Sequence, residues 1–160
     1  MKLSIVIPTY NEEGNIKTLL ETTDEILQSI PVTFELIVVD DNSKDKTRPI
    51  VRELQKINPR ITLIERDNER GLATALVRGY NASQGQYLGA MDADLAHNPE
   101  YLPKMIGLLD SNKADFIILM IPINFQVNPD FLPVVLGNNG FSVKRNYFSE
   151  LKPKLKALDI

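Results

Sequence analysis

The decapeptide MDADLAHNPE, residues 91–100, places Asp92 and Asp94 one residue apart at the end of an apolar run, followed by the only histidine of the chain, His97. Carboxylates that converge either repel, which raises a pKa, or share a cation that removes the repulsion. Because they flank Ala93, the two acids can face the same side of an extended or turning segment. A hard divalent cation commonly takes one or two carboxylates and completes its shell with a substrate's phosphates and water. Asp92 and Asp94 are therefore candidate ligands for a hard divalent cation. The local alternative is that one acid caps a turn and the other is solvated. His97 has no second histidine and no cysteine to join it, which argues against zinc and favours a capping or surface role over a catalytic one.

A second acidic pair, Asp40 and Asp41, follows the apolar run LIVV and precedes Asn42 and Ser43. Asp, Asn and Ser accept backbone N–H bonds in turns and at helix starts, which suits Asp40 and Asn42. Asp41 is the better candidate to accept N–H groups of a nucleobase or ribose hydroxyls. The stretch RGLATALVRG carries Gly71 and Gly79 but is neither a Walker loop nor a dinucleotide fingerprint. Gly71 is expected to allow a tight turn into a helix, and Arg70 beside it could reach a diphosphate. No local motif for Ser-His-Asp hydrolysis is present.

Positioning these groups requires a scaffold, and the pattern supplies one. LSIVI (3–7) and FELIVV (34–39) are short, β-branched and apolar on both faces, as strands covered on two sides should be. Between them Ile16, Leu19, Leu20, Thr23, Ile26, Leu27 and Ile30 recur at helical steps. The same reading predicts helices near 46–57, 71–83 and 99–111, the last with Asn98 as N-cap and Pro99 at its first position. It predicts strands at 61–65, 87–91 and 115–121. Beyond residue 121 the pattern weakens, with strand within PVVLGNNGFSVKR and helix within NYFSELKPKLKAL. Alternating strands and helices predict an α/β fold, a mostly parallel sheet with helices on both faces. Ligands of such sheets bind beyond the carboxyl ends of the strands, where PTYNEE, DDNSKDKT and DAD would share one rim.

At 160 residues the chain is expected to form one domain, 1–160, and to bury roughly 70% of its unfolded surface. With 43% hydrophobic and 24% charged residues it has an ordinary globular composition, and its net charge of −3 gives no basis for nucleic-acid binding. The absence of cysteine excludes disulfides, thiolate metal sites and thiol nucleophiles, and is compatible with a reducing, cytoplasmic setting. The run LSIVI is too short for a signal peptide, so Met1 is expected to begin the mature fold. FIILMI (116–121) falls far below the ~20 residues of a membrane span.

In order and spacing, SIVIPTYNEEGNI, ELIVVDDNSKDKT and ERGLATALVRGYNASQGQYLGAMDADLAHNPEYLPKMI resemble the nucleotide-sugar glycosyltransferases of the dolichyl- or polyprenyl-phosphate mannose and glucose synthase type. The resemblance runs from about residue 2 to 118 and rests on linked motifs in register. It implies a Rossmann-like GT-A fold, with 1–120 as the nucleotide-sugar-binding part and 121–160 as a shortened acceptor-side part. It also implies inverting transfer of a hexose from GDP-mannose or a UDP-sugar, with Mg2+ or Mn2+. By similarity, Pro8, Tyr10 and Glu12 would touch the nucleotide, and Val39 and Asp41 would hold its base or ribose. Asp92, Ala93 and Asp94 would form the diphosphate and metal site, with Asp94 as direct ligand, and Asp92 and Asp94 would carry the catalysis. Arg145, in NGFSVKR, would contact phosphate. The acceptor implied is a polyprenyl or dolichyl phosphate, which brings with it a peripheral membrane contact or a membrane partner.

Three departures bear on turnover. Ala96 stands where relatives often carry a glutamine that serves the metal, ILMIPINF replaces a GSRY-like segment and its arginine, and the chain is shorter between about 120 and 137. A nucleotide-sugar binder that does not transfer is therefore one alternative. No downstream Glu-Asp pair offers a general base, Asp130 and Asp159 being poor substitutes, and this favours an anionic phosphate acceptor, which needs none. A competitor from another class is a response-regulator receiver, in which Asp40 and Asp41 would bind Mg2+, an aspartate of MDADL would be phosphorylated and Lys152 would sense the phosphoryl group. That reading leaves residues 1–33 and GLATALVRGYNASQG without a role.

Overall fold

The computed structural model describes residues 2–96, 98–110, 116–118 and 141–144. Four parallel strands come first: β1 (Lys2–Thr9), β2 (Thr33–Asp40), β3 (Ile61–Glu65) and β4 (Tyr87–Ala90). Two short strands, β5 (Phe116–Ile118) and β6 (Phe141–Lys144), complete the order β3-β2-β1-β4-β6-β5, with β6 antiparallel to both its neighbours. The helices are α1 (Ile16–Gln28), α2 (Thr47–Ile57), α3 (Leu72–Ala82) and α4 (Leu102–Asp110), the last preceded by a 3-10 turn at Pro99–Tyr101. The α/β arrangement predicted from the pattern is present, and β1 is longer at both ends than its apolar run. Predicted strand residues 115 and 119–121, the predicted helix within 146–158, and His97, Asp130, Arg145, Lys152 and Asp159 lie outside the described residues.

Side-chain alternation divides the core into two layers. Leu3, Ile5 and Ile7 of β1 join Leu36 and Val38 of β2 against the buried stripes of α1, α2 and α4. Val6, Ile37, Val39 and Leu88 face the other way and pack against Ala75 and Tyr80 of α3. Each fully buried leucine of the α1 stripe, Leu19, Leu20 and Leu27, contributes about 1.5–3 kcal/mol of burial. On the opposite face α3 rides close to the sheet because position 79 is glycine. A Cβ there would sit 2.4 Å from Val6 Cγ1.

The starts of α1, α2 and α3 are built from loops, without a side-chain bond from their N-cap residues. The Glu12 carbonyl accepts the N–H groups of Asn15 and Ile16 at the head of α1. Pro49 falls in the first turn of α2, where its missing N–H would have had no helical partner. Gly71, at φ +121°, turns the chain into α3, a conformation that strains any residue with a Cβ. Asn98 accepts the N–H of Glu100 through its side chain, as its capping role predicts, although the helix opens as a 3-10 turn.

Register places the rim. Thr9 is level with Asp40, and Asp40 with Glu65, so Tyr10, Asp41 and Arg66 leave three adjacent strands at one height. The Asp41 N–H donates to the Thr9 carbonyl and the Arg66 N–H to the Asp40 carbonyl, extending the ladders past the strands. Ala90 is level with Val6, and the Met91 N–H donates to the Val6 carbonyl. β1 therefore stands where strand order reverses between β2 and β4, and the crevice outside such a switch point is where open α/β sheets bind ligands.

Candidate functional site

The loops after β1 and β2 are laced together. Ser43 Oγ accepts the Asn11 N–H at 2.8 Å, Asn11 Oδ1 accepts the Lys44 N–H at 2.8 Å, and Thr47 Oγ1 accepts the Glu12 N–H at 2.8 Å. Asp45 Oδ2 accepts the Glu13 N–H at 3.0 Å, and Glu13 returns the contact by accepting the Lys46 N–H at 2.8 Å. Asn11 and Asn42 adopt left-handed backbone at φ 57° and 61°, a region asparagine tolerates. Burial pushes the Asp45 carboxyl up, but bonds from the Thr47 hydroxyl and from the Thr47 and Glu13 N–H groups outweigh it and hold the carboxyl below the usual range.

Asp40 is fully buried and serves this lacework. It accepts from Ser43 N–H at 3.0 Å, from the Ser43 and Thr9 hydroxyls, and from Arg48 Nε. Arg48 extends to Glu65 at 3.3 Å and Asp67 at 2.7 Å. Burial lowers the Arg48 pKa, and the hydrogen bonds to Asp67 and Asp40 more than restore it, so the guanidinium stays charged. Asp40 thus has the capping role expected of it. Both Asp40 oxygens are taken by Ser43, Thr9 and Arg48, which leaves the receiver alternative, in which Asp40 would bind Mg2+, without support.

Asp41 is held differently. Arg66 Nε donates to its Oδ1 at 2.6 Å, Arg66 Nη2 to its Oδ2 at 2.7 Å, and the Gly71 N–H to Oδ2 at 2.9 Å. The carboxylate sits at the rim with 12% of its side chain exposed, against 2% for Arg66. Four residues on from Arg66, the Arg70 guanidinium lies 4.6 Å from the centroid of the Tyr10 ring, within cation–π range. Arg70, expected near a diphosphate, is therefore stacked on an aromatic ring that is 47% exposed.

Of the other residues expected at the nucleotide, Pro8 is partly buried near the end of β1. Glu12, also partly buried, accepts from Asn15 Nδ2 at 3.1 Å. The Val39 side chain faces inward, packed in the α3 layer, so any contact it makes at the rim belongs to its backbone.

The segment after β4 is more open. Asp92 is half-buried, Ala93 is buried in the α1 and α4 layer, and Asp94 is exposed. A turn at 93–95 places Leu95 in left-handed backbone at φ 62°, unusual for a residue with a bulky side chain. Asp94 Oδ1 accepts the Ala96 N–H at 2.9 Å, while Oδ2 has no partner among the described residues. Asp94 is therefore not the cap of the following helix, a task that falls to Asn98. Asp41 and Asp94 follow parallel strands and stand at the same rim. Among the described residues no three acids, histidines or cysteines converge as a metal cage. The two-acid set fits a hard cation that draws most of its oxygens from a diphosphate and water. A depression of about 320 Å3 lined by Leu20, Asp24, Leu54, Ile57 and Ile61 opens at the opposite edge of the sheet, and none of the expected site residues lines it.

Arg66, Arg48, Asp45 and Thr47 were absent from the sequence reading of the site. Arg66 had a usable signal, since it directly follows the third strand at the rim where ligands bind. Asp45 and Thr47 fall within DDNSKDKT and Arg48 directly follows it, and alternating acids, lysines and hydroxyls do not reveal which side chain reaches the neighbouring loop.

The chain is similar to the dolichol-phosphate mannosyltransferase of Pyrococcus furiosus, 41% identical over 118 residues that cover 74% of this chain and 32% of the relative. It is also similar to that of Saccharomyces cerevisiae, 42% identical over 112 residues covering 68% and 41%. It thus spans about a third to two-fifths of the length of these relatives. Among solved structures it resembles S. aureus TarS 1–349 in complex with UDP (TM-score 0.71, 22% identity, 95% of this chain and 49% of that one). It likewise resembles the mannosyltransferase PcManGT from Pyrobaculum calidifontis in complex with GDP-Man and Mn2+ (TM-score 0.68, 21% identity, 93% and 46%). These likenesses show the GT-A fold. With residues 4–155 matching the family model, the chain belongs to glycosyl transferase family 2.

Proposed function

We propose that this chain is the nucleotide-sugar-binding part of a glycosyltransferase that moves a hexose, with inversion, from a GDP-mannose or UDP-glucose class donor to a polyprenyl or dolichyl phosphate. The observation that carries the reading is the common rim: Tyr10, Asp41 and the Asp92–Asp94 turn stand at the carboxyl ends of β1, β2 and β4, on either side of the switch point. The relatives named above, and the GDP-Man and UDP complexes of the structural neighbours, support the donor class.

In this reading Tyr10 offers its exposed ring to the base, and Asp41 its rim-facing carboxylate to a base N–H or ribose hydroxyl. Pro8, Glu12 and the Val39 backbone stand at the same rim, and Arg145 is the expected phosphate contact. Asp94, through the Oδ2 that has no partner among the described residues, and Asp92 would hold Mg2+ or Mn2+ against the diphosphate. A bound cation would stabilise the charge gathering on the leaving group. The Ala93 backbone passes between the two acids. An acceptor phosphate already carries the negative charge it attacks with, so the described residues need not provide a general base. The lipid acceptor would place the protein at the cytoplasmic membrane surface; no helix among the described residues is long and apolar enough to cross a bilayer.

Calorimetry with GDP-mannose and UDP-glucose at fixed Mn2+, repeated for Asp94→Ala, tests the site. Binding that depends on the metal and weakens in the variant is expected. An isotherm unchanged by the substitution would remove Asp94 from the metal site. Ala96 offers no side-chain oxygen, which favours the second reading, a binder without turnover. Transfer of radiolabelled sugar to a polyprenyl phosphate separates the two.

A further inference from the structure

Arg66 is a buried cation outside the expected site, and it ties Asp41 to the loop that leads into α3. Its side chain is 2% exposed. Nε and Nη2 grip both oxygens of Asp41, Nη2 also donates to the Gly71 carbonyl at 3.1 Å, and Nη1 donates to Thr74 Oγ1 at 2.9 Å with Glu69 at 3.6 Å. Gly71 closes the ring by donating its N–H to Asp41. A planar fork of this kind fixes the carboxylate in plane and direction, which an ammonium cannot do. The same fork holds both ends of the 66–71 loop, which carries Arg70 over the Tyr10 ring.

We propose that Arg66 is a positioning residue for nucleotide binding: it acts through Asp41, whose carboxylate it orients toward the base or ribose, and through Gly71, whose placement sets the Tyr10–Arg70 stack. This rests on the nucleotide-sugar reading of the rim. Arg66 does not touch the ligand. Its contribution is preorganisation, so that Asp41 and the loop need not be ordered when the nucleotide arrives.

The test is calorimetry of the whole chain with GDP and with UDP at fixed Mn2+, comparing Arg66→Lys and Thr74→Val with the wild type. The dissociation constant and the binding stoichiometry are read separately. A residue that merely stabilises the fold lowers the fraction of competent protein, and hence the stoichiometry, with the constant unchanged. A positioning residue raises the constant at full stoichiometry. Arg66→Lys is expected to weaken binding about ten- to a hundredfold, and Thr74→Val, a milder change at an exposed hydroxyl, about two- to tenfold. Hydrogen exchange at the Gly71 amide gives a ligand-free readout and should quicken in Arg66→Lys. Wild-type constants in both variants would overturn the proposal while leaving the donor reading intact. A wild-type protein that binds neither nucleotide would overturn the donor reading and the proposal with it.

Discussion

One rim carries two differently built halves. After β1 and β2 the loops are crossed by hydrogen bonds between side chains of one and backbone of the other, and Asp40 and Asp41 are each held by an arginine. After β4, the exposed Asp94 is held among the described residues by a single turn bond from Ala96, on backbone that passes through a left-handed leucine. The first half is ordered by the protein alone. The second has an oxygen without a partner among the described residues and is suited to be completed by a cation and a diphosphate. Rigidity sits where a base would be recognised, and open valence where charge would develop.

Substitutions on the two halves should behave in opposite ways. The largest effect is expected for Asp40→Ala, which leaves Arg48 and Ser43 facing an empty site. Breaking such a buried pair costs about 3–5 kcal/mol, measurable as a shift of the urea midpoint. Asp94→Ala should do the reverse. Metal-dependent transfer, or metal-linked nucleotide binding if the chain does not turn over, should drop by the equivalent of about 3–4 kcal/mol, with a urea midpoint within about 0.5 kcal/mol of wild type. A comparable loss of stability in Asp94→Ala would erase the contrast between the halves.

Thr47→Val is intermediate. It removes the acceptor of the Glu12 N–H and should cost about 1–3 kcal/mol, read in the same denaturation experiment. The smallest effect concerns acid. Asp45 has its folded pKa below the ordinary 3.8, so the unfolded chain binds its proton more tightly. The stabilisation is complete above the unfolded value and is lost as pH falls through the lower folded one. Asp45→Asn should therefore flatten the decline of stability below about pH 4.

Much of this frame was legible because it depends on periodicity. The helical steps from Ile16 to Leu27 and the doubly apolar runs of β1 and β2 correspond to observed elements, since burial on one stripe or on both faces leaves its mark on consecutive residues. The capping roles of Asp40 and Asn98 were legible for a similar reason, because they act within a few residues of themselves. Arg66 could be placed at the rim by its position after β3, but its partners could not be read, as Asp41 and Gly71 come from the end of β2 and the start of α3 and only the fold brings them together. The inward side chain of Val39 was open to the alternation argument. Val39 is two residues from Ile37 and shares its face, so the same reasoning that places Ile37 in the core places Val39 there too.

The lacing of the first two loops also bears on how the sheet avoids mispairing. Sliding β1 by one residue against β2 would turn Ile5 and Ile7 away from their layer, and it would carry Asn11, Glu12 and Glu13 past Ser43, Thr47 and Asp45, stranding their amides. The loops therefore act as a vernier on the strands, penalising a wrong alignment in a second, independent currency. The geometry that would receive a ligand is also the geometry that recognises a correctly assembled sheet.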